Sequence, residues 1–233
     1  EGIDLVVAGA GFSRDMFAMG KESGTPIVPI VSSAKLARIS EGLGAAAVIV
    51  EGCEAGGHLG TDRSARDIVP EVVAAVKNIP VIGAGGIGDG RGMAAALMLG
   101  ADAVQLGTRF LVATECTAHD NFKASVLKAK DIDTVITGQI TGHPVRVLRN
   151  KLTKIYLQAE KEETGKENPD FERLEDIGRG ALRRIVVEGD TQMGSMMAGQ
   201  IAGLISKEQS CSEIIQELMA ESHEVIQKQL ARF

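Results

Sequence analysis

The chain has 233 residues, of which 44% are hydrophobic and 3% aromatic, and it carries 28 glycines and a formal net charge of −6. This length predicts one large α/β domain, or one domain with a small appendage. The negative charge disfavours nucleic acid and anionic membranes as partners, and the apolar runs are too short for a transmembrane helix. Three cysteines without paired or metal-ligand spacing indicate a reducing, cytoplasmic location and no metal site.

Short apolar runs alternate with helical segments through the first half of the chain. The predicted strands lie at 5–8, 26–31, 46–50, 80–83 and 103–106. Successive strands are about 20 to 35 residues apart, which is the length of a β–α unit. This alternation predicts a parallel sheet joined by right-handed crossovers.

The glycines of these units favour a TIM-type (β/α)8 barrel over a doubly wound sheet. They follow several of the predicted strands, and a barrel collects its active-site loops at the C-terminal ends of its strands. A doubly wound fold would concentrate its glycines in one fingerprint after the first strand. The short glycine pair at 9–11 does not make such a fingerprint.

From about residue 113 the alternation gives way to mainly helical segments. A strand or an extended arm is predicted at 132–139, and an amphipathic helix at 150–163. The further predictions are a helix at 172–187 with a break at 178–180, a helix ending at Ile205 and capped by Asp190 or Ser195, and a closing helix at 212–230 capped by Ser212. The buried side of the closing helix is predicted to consist of Ile214, Ile215, Leu218, Met219, Val225, Ile226 and Leu230. The predicted domains are therefore a barrel core at 1–112 and a helical region at 113–233 packed over the barrel mouth.

One motif, EGCEAGGHLG at 51–60, directly follows the third predicted strand. Gly56 and Gly57 have no Cβ, so the backbone there can lie close to a planar ligand. His58 would then stand beside that ligand, and imidazole exchanges protons near neutral pH. A glycine-rich loop with an exposed histidine is the alternative, but the position at the end of a barrel strand favours an active site.

Two further glycine-rich segments, GAGGI at 83–87 and QLGTR at 105–109, follow the next two strands. Paired loops of this kind bind phosphate after the last two strands of many barrels. Glycine exposes the backbone N–H groups that bind phosphate, which makes Gly85, Gly86 and Gly107 candidates. Thr108 would add a hydroxyl group, and Gln105 an amide near the cofactor ring. Tight turns are the alternative explanation for the glycines.

The second half of the chain contains candidate substrate contacts. His143 and Arg146, in a loop with a glycine and a proline, either bind substrate or phosphate or fix the loop through hydrogen bonds. Ser195 and Met197 lie in a segment rich in small residues, at 189–200. That segment either packs closely on another helix or lines the cofactor or substrate mouth.

These motifs resemble the nitronate monooxygenase / 2-nitropropane dioxygenase superfamily over nearly the whole chain. Within it, the segments KDIDT, GHPVR and GSMMAGQIAGL most resemble the FabK-type enoyl-acyl-carrier-protein reductases. The resemblance implies a TIM barrel that holds FMN, with NADH or NADPH as the reductant and a homodimeric assembly. It also implies reduction of enoyl thioesters carried on acyl carrier protein, in fatty-acid synthesis.

The resemblance also assigns roles to single residues. His58 matches the active-site histidine, which would assist protonation or orient the thioester carbonyl in a reductase and act as a base in a nitronate oxidiser. Glu51 matches a position that is often Gln in the monooxygenases, and an acid there suits the reductase branch. The positions that match FMN contacts are Gly56, Gly86, Gln105, Leu106, Gly107 and Thr108.

The sequence departs from the family pattern at its start. The Gly-Gly-Met loop and the Asn that the first strands of the family supply near the flavin are not found. If the strand at 80–83 is the seventh, the strand at 5–8 is the fourth, and five strands do not close an eight-stranded barrel. We therefore expect the first three or so strands to be absent. The functional alternatives are a nitronate monooxygenase and a chain that is not itself active.

Overall fold

The computed structural model describes residues 2–9 and 13–232. Contacts within the chain group it into two compact units. The first unit comprises Glu1–Glu54, Gly60–Leu106 and Ala220–Phe233, and the second comprises Ala55–Leu59 and Gly107–Met219. The glycine turn predicted at 9–11 lies largely outside the described residues.

The regular elements alternate as predicted in the first half of the chain and become mainly helical in the second. The strands are β1 (Val6–Ala8), β2 (Ile27–Val31), β3 (Val48–Glu51), β4 (Gly57–His58), β5 (Val81–Ala84), β6 (Ala103–Gln105), β7 (Thr134–Thr137) and β8 (Val145–Leu148). The α-helices are α1 (Arg14–Ser23), α2 (Ala34–Leu43), α3 (Ala65–Ala75), α4 (Gly90–Met98), α5 (Thr108–Leu111), α6 (Asp120–Lys128), α7 (Lys151–Glu163), α8 (Phe171–Gly178), α9 (Ala181–Val186) and α10 (Cys211–Leu230).

The first unit contains a parallel sheet of five strands in the order β1-β2-β3-β5-β6. All five strands predicted from the sequence are confirmed, with small shifts at their ends. Each successive strand is added at the same edge, whereas a doubly wound sheet reverses direction at a switch point. The order is therefore that of the wall of a (β/α) barrel, and the prediction of barrel architecture is confirmed.

The strands of this sheet are apolar because both faces are buried. Val48 and Val50 are fully buried on one face, in a cluster with Ile68 and Val72 of α3. Ile49 points to the other face and is only 1% exposed. Alternate residues of a strand point to opposite faces, so burial of all three requires cover on both sides. Each such side chain contributes about 2 kcal/mol through its removal from water.

The second unit contains an antiparallel sheet in the order β4-β8-β7 as well as helices. The strand or arm predicted at 132–139 is β7, whereas β4 and β8 were not predicted. β4 has two residues, one of them a glycine, so it shows no alternation. β8 follows a proline and includes Arg146, which breaks its apolar run. Local pattern was therefore too short to reveal either strand.

The helices between 151 and 186 follow the predictions, whereas α5 and α6 were not predicted. Asn150 caps α7, and its side-chain oxygen accepts a hydrogen bond from Thr153 N at 3.0 Å. The predicted break at 178–180 separates α8 from α9, with Gly180 in the left-handed region at φ 70°.

Two predictions for the last quarter of the chain are wrong. Instead of a helix that ends at Ile205, there is a short 3-10 helix at Gln200–Leu204, and Asp190 accepts hydrogen bonds from Gln192 N and Met193 N in a local turn. The cap of α10 is Ser210 rather than Ser212, because the Ser210 hydroxyl accepts from Glu213 N and the Glu213 carboxylate accepts from Ser210 N.

The buried side of α10 is narrower than its apolar pattern predicts. Ile214 and Leu218 are buried, whereas Ile215 and Met219 are more than half exposed. Ile215 and Met219 were expected to widen the buried stripe because they are apolar and adjoin the buried positions, but their side chains remain at the surface.

Among the described residues, no helix combines the length and apolar character needed to cross a bilayer. The part of the chain that the structure describes also contains no cluster of three or more His, Cys, Asp or Glu side chains that could hold a metal ion.

Candidate functional site

His58 occupies the second position of the short strand β4 in the second unit. Its backbone is fixed because β4 pairs with β8, with His58 opposite Val145. The next residue continues the pairing, since Leu59 N donates to Pro144 O at 2.9 Å. The imidazole itself is exposed, so a rigid backbone carries an accessible side chain.

The two glycines before His58 allow the chain to pass closely over another segment. A Cβ on Gly56 would lie 2.5 Å from the backbone of Ala198 and Gly199, which no real side chain tolerates. Gly57 adopts φ +84° and lies against Met197, whose Sδ would be 3.5 Å from an added Cβ. Packing of the chain against 197–199 is therefore one physical reason for these glycines.

Thr108 joins the same cluster from α5. Its Oγ1 accepts a hydrogen bond of 2.9 Å from Gly199 N, the backbone group over which Gly56 passes. The structure thus brings Gly56 and Thr108 together around Gly199. The hydroxyl hydrogen of Thr108 remains available to a further acceptor.

A cavity of about 370 Å³ lies within the second unit and includes His58 in its wall. Its volume falls in the range of about 300–1,000 Å³ that is typical of small-molecule sites. One wall is the face of the small sheet, because His58, Val145 and Thr137 are cross-strand neighbours. The helical wall consists of Leu152, Thr153, Tyr156, Leu174, Glu175, Gly178, Ala181 and Leu182.

Four residues that the sequence singled out line this one cavity. They are His58, His143, Ser195 and Met197. Arg146 does not line it: its side chain is buried, and Nη1 donates to Thr134 Oγ1 at 3.2 Å, which joins β8 to β7.

The sequence analysis missed the helical wall. Leu152 and Tyr156 are four residues apart on α7, and Leu174 and Gly178 have the same spacing on α8. This spacing places each pair on one helix face. The signal was present, but it is the same signal that any core-facing helix gives.

Tyr156 is the only tyrosine of the chain, and its phenol is partly buried in the cavity wall. Burial raises the pKa of this phenol above its usual value, and the nearby carboxylate of Glu160 adds to the rise. Tyr156 therefore stays neutral at physiological pH and can donate a hydrogen bond.

In the first unit, the cofactor candidates lie side by side at the C-terminal edge of the parallel sheet. Glu51 at the end of β3 is in register with Ala84 at the end of β5, which in turn is in register with Gln105 of β6. Gly85 and Gly86 follow directly. Adjacent strands are about 4.8 Å apart, so these strand ends form one continuous edge.

Glu51 is the most perturbed acid in this row. Burial raises the pKa of its carboxyl to about 7, from a usual value of 4.5. No hydrogen bond or ion pair among the described residues offsets this burial for the Glu51 side chain. A carboxyl with such a pKa can be charged or neutral near neutral pH.

The donor groups at these strand ends fit a phosphate. Gly85 and Gly86 both lie in the left-handed region, with φ of 85° and 74°, and Gly86 N has no acceptor among the described residues. In the second unit, a Cβ on Gly107 would meet nothing within 4 Å, so the loop there borders open space. Unpaired N–H groups on glycines are the usual ligands of a cofactor phosphate.

Comparison with known proteins identifies the family. The nitronate monooxygenase family model matches residues 1–221. The chain belongs to the nitronate monooxygenase family. This membership confirms the superfamily predicted from the motifs and, with it, an enzyme of the flavin-dependent oxidoreductase class.

This nitronate monooxygenase family member resembles proteins of three different descriptions. It is 44% identical to FabK from Thermotoga maritima, with a TM-score of 0.92, over 98% of this chain and 71% of that one. It is 32% identical to the (3aS,4S,5R,7aS)-5-hydroxy-7a-methyl-1-oxo-octahydro-1H-indene-4-carboxyl-CoA dehydrogenase of Mycobacterium tuberculosis, over 95% of this chain and 72% of that one. It is 31% identical to a probable nitronate monooxygenase of Staphylococcus saprophyticus, over 89% of this chain and 59% of that one.

Proposed function

We propose that this family member reduces enoyl thioesters carried on acyl carrier protein, with FMN as its cofactor and NADH or NADPH as its reductant. One observation carries the proposal: the cavity that includes His58 has a largely apolar wall, formed by residues such as Leu152 and Leu174. An acyl chain gains about 0.8 kcal/mol for each methylene that it buries. A small nitronate anion has no comparable use for such a wall.

Two of the similar proteins support a thioester substrate. The protein from Mycobacterium tuberculosis is named for a carboxyl-CoA compound. The protein from Thermotoga maritima bears the name FabK, and the motifs of this chain resemble the FabK-type enoyl-acyl-carrier-protein reductases. The carrier differs between them, but the thioester is common to both. We therefore assign the acyl thioester as the substrate class.

Different residues of the chain would bind the cofactor and transfer the proton. FMN, when bound, would supply hydride transfer to the β-carbon of the enoyl group, with electrons drawn from the nicotinamide. Within the first unit, the N–H groups of Gly85 and Gly86 would bind the phosphate, and Glu51, Gln105 and Leu106 would border the cofactor. Within the second unit, the resemblance makes Gly56, Gly57, Gly107 and Thr108 candidate cofactor contacts. His58 would give a proton to the α-carbon or hold the thioester carbonyl.

Nitronate oxidation is the second candidate, because the family model and the relative from Staphylococcus saprophyticus both bear that name. In that reaction His58 would act as a base and oxygen would replace the nicotinamide as the co-substrate. The two candidates therefore differ in which second substrate the flavin needs.

Anaerobic flavin spectroscopy separates them. The purified protein is loaded with FMN and mixed with NADH or NADPH, and we expect the flavin absorbance to bleach. Addition of crotonyl thioester should restore the absorbance and yield the saturated thioester. A separate aerobic assay tests the second candidate: consumption of oxygen with an alkyl nitronate, together with no reaction of the thioester in the anaerobic experiment, would overturn the proposal in favour of a nitronate monooxygenase.

We also propose a cytoplasmic homodimer. Its expected mass in solution is twice the 24.5 kDa of the chain, and light scattering during size-exclusion chromatography measures it directly.

A further inference from the structure

The helical wall of the cavity contains one position without a side chain. α8 and α9 contribute Leu174, Gly178, Ala181 and Leu182 to the lining. Leu174 and Ala181 are almost completely buried, whereas Gly178 is partly exposed to the cavity. At Gly178 the helical wall therefore presents backbone, and no side chain, to the cavity.

A short series of contacts connects this helical wall to the wall that carries His58. Gly57, beside His58, lies against Met197, and Met197 N donates to Ser195 O at 3.0 Å. Ser195 N in turn donates to Ala181 O at 2.9 Å. His58 and the α8–α9 residues thus lie on different walls of one cavity, with the segment 195–197 between them. A thioester bound with its reacting end at His58 would have α8 and α9 along another wall of the same cavity.

The geometry at Gly178 leaves room for a side chain. An added Cβ would lie 3.8 Å from Tyr156 Cε2, which is ordinary van der Waals contact, and it would meet no other atom within 4 Å. The backbone of Gly178 is not in the left-handed region, so an L side chain would cause no strain there. Neither packing nor backbone conformation therefore requires glycine at this position.

We propose that Gly178 determines the length of the acyl chain that the cavity accepts. This inference rests on the proposed reduction of enoyl thioesters and names the residue that sets its chain-length preference. With no side chain at 178, the apolar space beside Leu174 and Leu182 stays open to the distal carbons of the substrate. Any larger residue at 178 would fill that space and exclude them.

The decisive variant is Gly178→Leu, and Gly42→Leu is its matched control. Gly42 is also helical, in α2, is exposed, and has no atom within 4 Å of an added Cβ. The two variants add the same side chain to the same kind of backbone, but only the first alters the cavity. Gly178→Ala, which adds one carbon, provides a milder variant if the leucine impairs folding.

The measurement is kcat/KM for enoyl thioesters of four, eight and twelve carbons with the FMN-loaded protein. Each excluded methylene should cost about fourfold in kcat/KM. We expect Gly178→Leu to lower the value for the twelve-carbon substrate at least about tenfold and to leave the four-carbon value nearly unchanged. Gly42→Leu should keep the original profile, and Gly178→Ala should fall between. An unchanged profile in Gly178→Leu would overturn the inference.

Calorimetric binding of saturated decanoyl and butyryl thioesters separates this inference from the proposed function, because it needs no turnover. If the protein reduces no enoyl thioester, the proposed function fails, and the binding data alone decide the role of Gly178. Tighter binding of decanoyl than of butyryl thioester, lost in Gly178→Leu, supports the inference. Equal affinities of the two thioesters, or no effect of the substitution, reject it.

Discussion

His58 combines a fixed backbone with a free side chain. Its strand β4 is held by β8, and the glycines before it fit against 197–199. The imidazole lines a cavity whose other walls are largely apolar. An imidazole held in this way is available to exchange a proton with a ligand bound in the cavity.

We expect His58→Ala to lower kcat about a hundredfold to ten-thousandfold, the usual range for loss of a general acid. The flavin should still bind, so the protein should remain yellow. His223→Ala is the control, because His223 is exposed on α10 and does not line the cavity. Turnover equal to that of the unmodified protein would remove His58 from the mechanism.

Glu51 is the other residue whose environment is unusual. Its carboxyl has a pKa of about 7 in the fold and titrates near 4.5 when exposed, because burial disfavours the charged form. As pH rises from 4.5 to 7, the unfolded chain releases this proton before the folded chain does. The contribution of Glu51 to stability is therefore lost over that window and stays low above it.

Glu51→Gln should raise the free energy of unfolding at pH 8 by at most about 3 kcal/mol. At pH 4 the substitution should have little effect, because the carboxyl is neutral in both states. Urea unfolding of the flavin-free protein at pH 4, 6 and 8 measures the difference. Glu167→Gln, at an exposed position, is the control and should show no such pH dependence. Equal effects at pH 4 and pH 8 would contradict the assignment.

At the scale of elements, α7 is the support for the segment that carries Ser195 and Met197. Asn150 caps α7 and also donates from Nδ2 to Thr191 O at 3.0 Å and to Gly194 O at 2.8 Å. One amide thus joins the start of a helix to the backbone that precedes the cavity wall. Sequence pattern located the helix, but not this second role of its cap.

Asn150→Ala should lower the free energy of unfolding by roughly 1 to 3 kcal/mol, since it removes a helix cap and leaves two carbonyls without their donor. Urea unfolding provides the measurement. Asn168→Ala, at an exposed loop position without a side-chain hydrogen bond among the described residues, should change stability by less than about 0.5 kcal/mol. Similar losses in the two variants would argue against the capping role.

At the scale of the whole molecule, the negative charge of the chain affects how the phosphate of the cofactor can be bound. With a net charge of −6, the overall field does not attract a phosphate. We therefore expect local N–H groups, such as those of the glycines at the strand ends of the first unit, to bind the phosphate of FMN. Affinity for FMN should therefore depend on its phosphate group.

FMN at a hundredfold excess over its Kd should stabilise the protein by about 2.7 kcal/mol. For a chain of this size, that corresponds to a rise in Tm of roughly 5 to 10 °C. Riboflavin has the same ring system without the phosphate and is the matched control. It should give a clearly smaller rise at equal concentration, and equal shifts for the two flavins would reject phosphate recognition by these loops.

The sequence by itself determined the features that depend on neighbouring residues. Alternation of apolar runs and helices located β1, β2, β3, β5 and β6, and the glycines that follow β3 and β5 located the candidate cofactor edge. His58 was found because its motif directly follows a strand. These signals are local, since strand propensity, helix periodicity and turn glycines act within a few residues.

Only the tertiary structure decided which distant segments meet. The pairing of β4 with β8 joins residues almost ninety positions apart, and neither strand is long enough to carry a pattern of its own. The cavity depends on that pairing, because its two walls come from separate stretches of chain. The proposed role of Gly178 likewise depends on tertiary packing. From the sequence, a glycine at the end of a helix predicts only a turn. Its position beside open apolar space is seen only when α8 is packed against Tyr156.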